Sequence, residues 1–124
     1  MESPEQLSVA EAATRVGLTA HTLRWYEQVG LLDPISRDGA GRRRYRDSDV
    51  ARLVFLNRLR STGMPVKDML RYVQLVREGP ATADARRDLL HAHRERVLNR
   101  MADLRRDLDA IDFKIKLDET RELI

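Results

Sequence analysis

Two runs of side chains have the types and spacing to do chemistry, and that chemistry is hydrogen bonding and charge pairing to a polyanion. The first is Thr22-Leu23-Arg24-Trp25-Tyr26-Glu27 and the second is Gly41-Arg42-Arg43-Arg44-Tyr45-Arg46. An arginine presents five N–H donors in a planar fork that matches phosphate oxygens and the guanine edge, and Thr and Tyr hydroxyls add short-range donors and acceptors. Groups that make and break bonds are missing. There is no Ser/His/Asp set, no phosphate-cradling Gly loop and no metal-ligand cluster, so an enzyme is the least favoured class and no cofactor is expected. The chain has no Cys, which excludes a disulfide framework, a thiolate metal site, a thiol redox sensor and a cysteine nucleophile. His91 and His93 stand at i and i+2, which do not face each other on a helix, and His21 lies apart from them; no metal site is expected. Asp103, Asp107, Asp109 and Asp112 interleave with Arg100, Arg105 and Arg106, as on an exposed helical face, and Met64, Met69 and Met101 suit core or seam positions.

Charge is distributed more tellingly than its sum. The net charge over 124 residues is +3. Between Arg37 and Arg60 eight arginines stand against Asp38, Asp47 and Asp49, a net +5, whereas residues 79–124 carry ten basic and ten acidic side chains. The middle of the chain is the electropositive footprint expected for a nucleic-acid partner, and the C-terminal part has the balanced charge of a solvated helix. The polar start Met1-Glu2-Ser3-Pro4-Glu5-Gln6 has no signal-peptide core, and no apolar stretch approaches the roughly 18 residues of a bilayer span. The expectation is a cytoplasmic protein without a membrane partner.

The elements that must position these runs are legible from capping and periodicity. Ser8 with Glu11 is a capping-box pattern, followed by Val9, Ala12, Ala13 and Val16 at helical spacing until Gly17. Thr19 caps a second helix carrying Leu23, Trp25 and Tyr26 that ends near Gly30, so two short helices flank Gly17-Leu18-Thr19 in a helix-turn-helix. In that motif the second helix enters the major groove, where Thr22 and Arg24 reach bases or phosphates and Tyr26 can bond a phosphate. For Trp25, a place in the core and a place at the DNA are equally open. The turn-rich stretch Asp33–Gly41 and an extended return over Arg42–Tyr45 predict a β-wing. Alternation sends Arg42 and Arg44 one way, Arg43 and Tyr45 the other. A third helix follows Asp47 or Ser48, with Val50, Leu53, Val54, Leu56 and Leu59 running to Gly63. Pro65 opens a fourth, with Met69, Leu70, Val73 and Val76 inward until Gly79-Pro80.

From about Thr82 no Gly or Pro intervenes, and a single helix of about 35 residues, roughly 50 Å long, is expected. Val97, Met101, Leu104, Leu108, Ile111 and Ile115 follow 4, 3, 4, 3, 4 spacing, a coiled-coil seam, and Leu90 and His93 extend it backwards through a stutter. A lone helix with this stripe leaves it in water, and a second copy of the chain is the simplest partner.

The ordered combination of Thr22–Glu27, then Gly30-Leu31-Leu32, then Gly41 to Tyr45 resembles the DNA-binding domain of the mercury-resistance regulator (MerR) family. The match runs from residue 7 to about 76, and the remainder is similar to that family's dimerising helix. The resemblance implies a homodimer held by an antiparallel coiled coil on a pseudo-palindromic operator in a promoter with an over-long spacer. Such dimers bend and untwist the spacer so that RNA polymerase reads both promoter elements, and an effector shifts the complex between repressing and activating forms. By position it places Thr22 and Arg24 in the groove, Tyr26 on phosphate, and Arg43 and Tyr45 at the wing. The chain departs from the metal-, redox- and aldehyde-sensing members in lacking Cys, and from the drug-sensing members in having only about nine residues after Ile115. Sensing by thiolate or by a large pocket domain is therefore not expected. A small-molecule effector site between the fourth helix and the partner's long helix is a hypothesis resting on geometry alone.

The expected fold class is mainly α: a winged helix-turn-helix over residues 7–78, a linker over 79–82, a coiled-coil dimerisation helix over 83–118 and a short tail over 119–124. The expected function is a sequence-specific transcriptional regulator on double-stranded promoter DNA. Its DNA-binding residues are Thr22, Arg24, Tyr26, Arg42, Arg43, Arg44 and Tyr45, and its dimer interface is Leu90, Val97, Met101, Leu104, Leu108, Ile111 and Ile115. The first rival is an architectural or excision-type winged-helix DNA-bending factor, which the long self-pairing helix disfavours. A second is an adaptor whose basic wing binds acidic protein, against which steeply salt-dependent DNA binding would count.

Overall fold

The computed structural model describes residues 6–122. α1 (Val9–Val16) begins with the reciprocal cap expected: Ser8 Oγ accepts the Glu11 N–H at 3.1 Å and Glu11 Oε1 accepts the Ser8 N–H at 3.0 Å. It stops at Gly17, whose φ of 74° lets the Leu18 N–H reach back to the Ala13 carbonyl at 3.0 Å. α2 (Ala20–Gln28) starts from Thr19, whose Oγ1 accepts the Thr22 N–H at 3.1 Å. Its end repeats the device, with Gly30 at φ 89° and the Leu31 N–H on the Tyr26 carbonyl at 2.9 Å. The turn between α1 and α2 is thus fixed at both ends by short-range hydrogen bonds, which sets the angle at which α2 is presented.

α3 (Asp47–Ser61) is capped by Asp49, whose Oδ2 accepts the Arg46 N–H at 2.9 Å, and α4 (Val66–Arg77) follows Pro65 directly. α1 packs on α2 and on α3, and α3 packs on α4. The shared core holds Leu23 and Tyr26 from α2, Leu31 after it, Leu53 and Leu56 from α3, and Met69 and Val73 from α4, all buried. Val54, expected inward, is instead exposed with its neighbour Phe55, whose ring lies tilted against Tyr72 of α4 at 5.7 Å between centroids. The i, i+3 spacing of Leu53, Leu56 and Leu59 already fills the inner stripe of α3, which leaves Val54 on its edge. Arg77, at the end of α4, donates from Nε to Asp33 Oδ1 and from Nη2 to the Gly30 carbonyl, both at 2.9 Å, and so ties α4 to the loop that leaves α2.

Among the described residues the wing contains no continuous strand, only the antiparallel bridges Leu7↔Tyr45 and Arg37↔Arg43. The expected strand over Arg42–Tyr45 is therefore reduced to two bridged residues. Its arms are too short for a ladder, because Asp38 Oδ1 takes the N–H groups of Ala40 and Arg42 while Gly41, at φ 80°, turns the chain back.

The chain divides into two compact units at Ala83 and Asp84. The stretch expected as a linker is a 3-10 turn, Pro80–Thr82, closed by the Thr82 hydroxyl donating to the carbonyls of Leu75 and Gly79. α5 (Ala83–Glu122) runs for 40 residues. It passes beyond the expected end at residue 118, because nothing in 119–122 breaks a helix; residues 123 and 124 of the expected tail lie outside the described residues. Ion pairs one turn apart line it, among them Arg106–Asp103 at 2.8 Å, Lys114–Asp118 at 3.2 Å and Arg105–Asp109 at 3.4 Å. Among the described residues no helix is long and apolar enough to cross a membrane.

Truncation of Leu53, fully buried on α3, removes side-chain contacts that the helical core cannot recover by collapse. Leu53→Ala is expected to cost about 2–5 kcal/mol, read as a lower midpoint in urea at unchanged slope.

Candidate nucleic-acid interface

The N-terminal turn of α2 presents His21 and Arg24 to solvent and Thr22 half-buried between them. The Thr22 hydroxyl shares a 2.9 Å hydrogen bond with the Thr19 hydroxyl, so its position is set by the helix cap itself. Arg24 is exposed on the outer face, free to swing into a groove. Trp25 is half-buried, its ring edge-on to Tyr26 at 5.3 Å and covered by the Arg60 guanidinium, 4.8 Å from the ring centroid. That cation–π contact brings the last turn of α3 against α2, and His21, Thr22, Trp25 and Arg60 line one shallow concavity. Neither Arg60 nor His21 was among the expected DNA-binding residues, although His21 falls within the DNA-binding region. Nothing in the spacing of residues 25 and 60 announces that they meet; the only signal was Arg60's membership of the basic segment.

The wing adds a second cationic surface. Arg37, Arg42, Arg43 and Arg44 line a hollow with Ser8 and Val9 at the start of α1. The arginines divide between two carboxylates as strand alternation predicts. Arg42 and Arg44 share Asp38 Oδ2, at 3.4 and 3.1 Å, and Arg43 donates from Nε to Glu27 Oε1 at 2.8 Å. Arg42 is the most exposed of the three, at 73%, against 30% for Arg44 and 25% for Arg43. Glu27 also accepts the Ile35 N–H on Oε2 at 3.2 Å, so a residue of α2 holds both arms of the wing. Arg37 closes the tip by donating to the Gly41 carbonyl at 2.7 Å.

Tyr26 and Tyr45 depart from the expectation. Both are fully buried, hydroxyls included, so in this conformation neither offers a polar atom to a phosphate. Tyr26 packs inside the helical core, and Tyr45 is drawn in by its two hydrogen bonds to Leu7, at 2.7 and 2.8 Å. Burial pushes the Tyr45 phenol above its ordinary value. Tyr26 backs Trp25 edge-on, and Tyr45 packs in the core at the base of the wing. The polar and cationic groups the structure leaves accessible are Thr22, Arg24 and Arg60 beside Trp25 on the helices and Arg42, Arg43 and Arg44 on the wing.

On α5, Leu90 and Val97 are half-buried and His93 is buried, while Met101, Leu104, Leu108, Ile111 and Ile115 are exposed by 45–63%. Leu98, Phe113 and Leu117 are exposed as well and lie off that stripe.

With this geometry in hand, comparison with known proteins points one way. The model of the MerR HTH family of regulatory proteins matches residues 7–75, and a second model, described as MerR, DNA binding, matches residues 50–112. An HTH-type transcriptional regulator of Haemophilus influenzae is 36% identical over 108 residues, 87% of this chain and 80% of that protein. Among solved structures, HiNmlR, described as a MerR family regulator lacking the sensor domain, bound to promoter DNA, superposes with a TM-score of 0.85 at 33% identity, covering 96% of this chain and 94% of that one. A MerR family regulator from Listeria monocytogenes gives a TM-score of 0.83 at 36% identity, covering 88% and 83%.

The wing's two carboxylates make its integrity pH-dependent. Partial burial pushes Glu27 up, but the Arg43 hydrogen bond, the Ile35 amide and the positive charges of Arg43 and Arg37 together hold it below its ordinary value. The Arg42 amide is the largest influence on Asp38, helped against desolvation by the Ala40 amide and Arg44, and that carboxyl is lowered too. A folded pKa below the unfolded one contributes stability that is complete above the ordinary carboxylate range, about 4, and vanishes as pH falls through the lowered folded values. The amides of Ile35, Ala40 and Arg42 are therefore expected to keep their NMR shifts from neutral pH down to about pH 4 and to move together below it. In a Glu27→Gln, Asp38→Asn chain that acid transition is expected to disappear; its persistence would place the titrating groups elsewhere.

Proposed function

The chain belongs to the MerR family of helix-turn-helix transcriptional regulators, which bind promoter DNA, and on that premise we propose that it works as a cytoplasmic homodimer on a pseudo-palindromic operator. One observation carries this function: the start of α2 and the four-arginine wing lie together on one unit and expose donors of two kinds. Thr22 and Arg24 enter the major groove, where Arg24 reads a base edge. Arg42, Arg43 and Arg44 with Arg60 take backbone phosphates on either side, which sets register without reading sequence. The role is binding, without catalytic chemistry.

Dimerisation is assigned to α5. Met101, Leu104, Leu108, Ile111 and Ile115 form an apolar stripe that a single chain exposes, and Leu90 and Val97 continue it. Burying such a stripe against a second copy, antiparallel as in the family's dimers, removes it from water and leaves the ion pairs of α5 outside. Two linked units then engage two half-sites, and the DNA between them is deformed. Bending a site of this size costs on the order of 1–6 kcal/mol, so the dimer stores binding energy as altered spacer geometry that RNA polymerase senses.

DNA selected from random duplexes by the full chain supplies the operator. The binding constant is expected to fall steeply with salt, by a slope of roughly 0.9 per phosphate neutralised. Arg42→Ala should lower that slope by about one, and Arg24→Ala should relax sequence preference at one position by about 1–3 kcal/mol. Leu104→Glu with Leu108→Glu should give a folded monomer in sedimentation and lower operator affinity at least about a hundredfold, because the second half-site no longer binds as part of the same molecule. A wild-type chain that binds all duplexes alike would point to an architectural DNA binder.

A further inference from the structure

The wing's arms are joined to each other by backbone bonds, the Asp38 N–H to the Arg42 carbonyl at 2.9 Å and the Arg44 N–H to the Ser36 carbonyl at 2.7 Å. Two isolated bridges, Leu7↔Tyr45 at its base and Arg37↔Arg43 midway, are its only ladder pairs among the described residues. Bonds between the arms close the hairpin, but none of them reaches α2, so the wing's direction relative to that helix is left to side chains. Asp38 fixes the tip, but the bonds it makes, to Ala40, Gly41, Arg42 and Arg44, lie within the wing itself and cannot orient it against the helices. Glu27 differs. It stands on α2 two positions after Trp25 and three after Arg24, and its two oxygens go to opposite arms: Oε2 to the Ile35 N–H of the outgoing arm and Oε1 to Arg43 Nε of the returning one. The contact is partly withdrawn from solvent, with the side chains of Glu27 and Arg43 exposed by 17% and 25%. The bond uses one of the five guanidinium N–H donors, that on Nε, and because the guanidinium is planar it also sets where the terminal nitrogens point.

We propose that Glu27 is a positioning residue for DNA binding, acting through Arg43: it locks the wing to the recognition helix so that groove-reading and backbone-gripping groups meet the duplex as one rigid body. The proposal rests on the DNA-binding reading above. Without Glu27, Arg43 regains its rotamer freedom and the wing loses the tie of both arms to α2, while the core beneath, Leu23, Tyr26 and Tyr45, is untouched.

The test is a double-mutant cycle on the full chain with the selected operator: wild type, Glu27→Ala, Arg43→Ala and the pair. Glu27→Ala is expected to weaken operator binding roughly ten- to a hundredfold with Arg43 present, and by less than about threefold when Arg43 is already Ala. Helix content is expected to be unchanged throughout. Glu27→Gln keeps an oxygen for the Ile35 N–H but has no charge for Arg43; it replaces Glu27→Ala if that variant does not fold, and is expected to show the same dependence on Arg43 with a smaller loss. An equal loss in both backgrounds would mean that Glu27 merely supports the fold, and no loss at all would mean that the wing needs no tie; either result overturns the proposal. A wild-type chain that enriches no DNA sequence would overturn the DNA-binding reading as well, and is told apart because it fails before any substitution is made.

Discussion

Everything on the DNA-facing side hangs from the stub of a helix, α2, that is only nine residues long. A helix of that length is not stable by itself in water, and here four constraints hold it: the Thr19 cap, the left-handed stop at Gly30, the burial of Leu23 and Tyr26, and the Arg77 tether that reaches the Gly30 carbonyl from the end of α4. Once α2 is fixed, Trp25 and Arg60 fix each other across to α3, and Glu27 reaches the wing. Two of these side chains are thus oriented from another element, Trp25 by Arg60 and Arg43 by Glu27, while Thr22, Arg42 and Arg44 are held by neighbours on their own.

This explains which parts could be read from the sequence and which could not. The helix boundaries were legible because their determinants are local: Ser8 with Glu11, Thr19 with Thr22, and Gly17 and Gly30 each act within a few residues. The apolar stripe of α5 was legible for the same reason, since a 4, 3 spacing needs no knowledge of the fold. The burial of Tyr26 and Tyr45 was not legible, because a tyrosine in a basic run reads equally as an exposed contact or as a core residue, and only the tertiary fold separates the two. The pairs Glu27–Arg43 and Trp25–Arg60 join residues 16 and 35 positions apart, and no periodicity encodes such meetings. Alternation along the wing did put Arg42 and Arg44 on one side and Arg43 on the other, but it could not name the carboxylates that receive them.

The two units differ in what keeps them folded. The N-terminal unit has a core of its own, drawn from four helices and the residues after α2. α5 relies on helix propensity, on ion pairs one turn apart and on an apolar stripe that a single chain leaves in water. Surface pairs of that kind contribute little each. If α5 pairs with a second copy as proposed, the stability of this helix is tied to protein concentration in a way that the stability of the DNA-binding unit is not.

The chain contains one tryptophan, and the fold has set it in the recognition helix with a guanidinium resting on its face. An indole's emission depends on the charge and water around it, and Arg60 is both a nearby charge and a cover. A phosphate that draws Arg60 off the ring changes both at once. If α2 meets DNA as proposed, the molecule carries a light-emitting gauge at that place, and occupancy of the operator can be followed without attaching a dye to either partner.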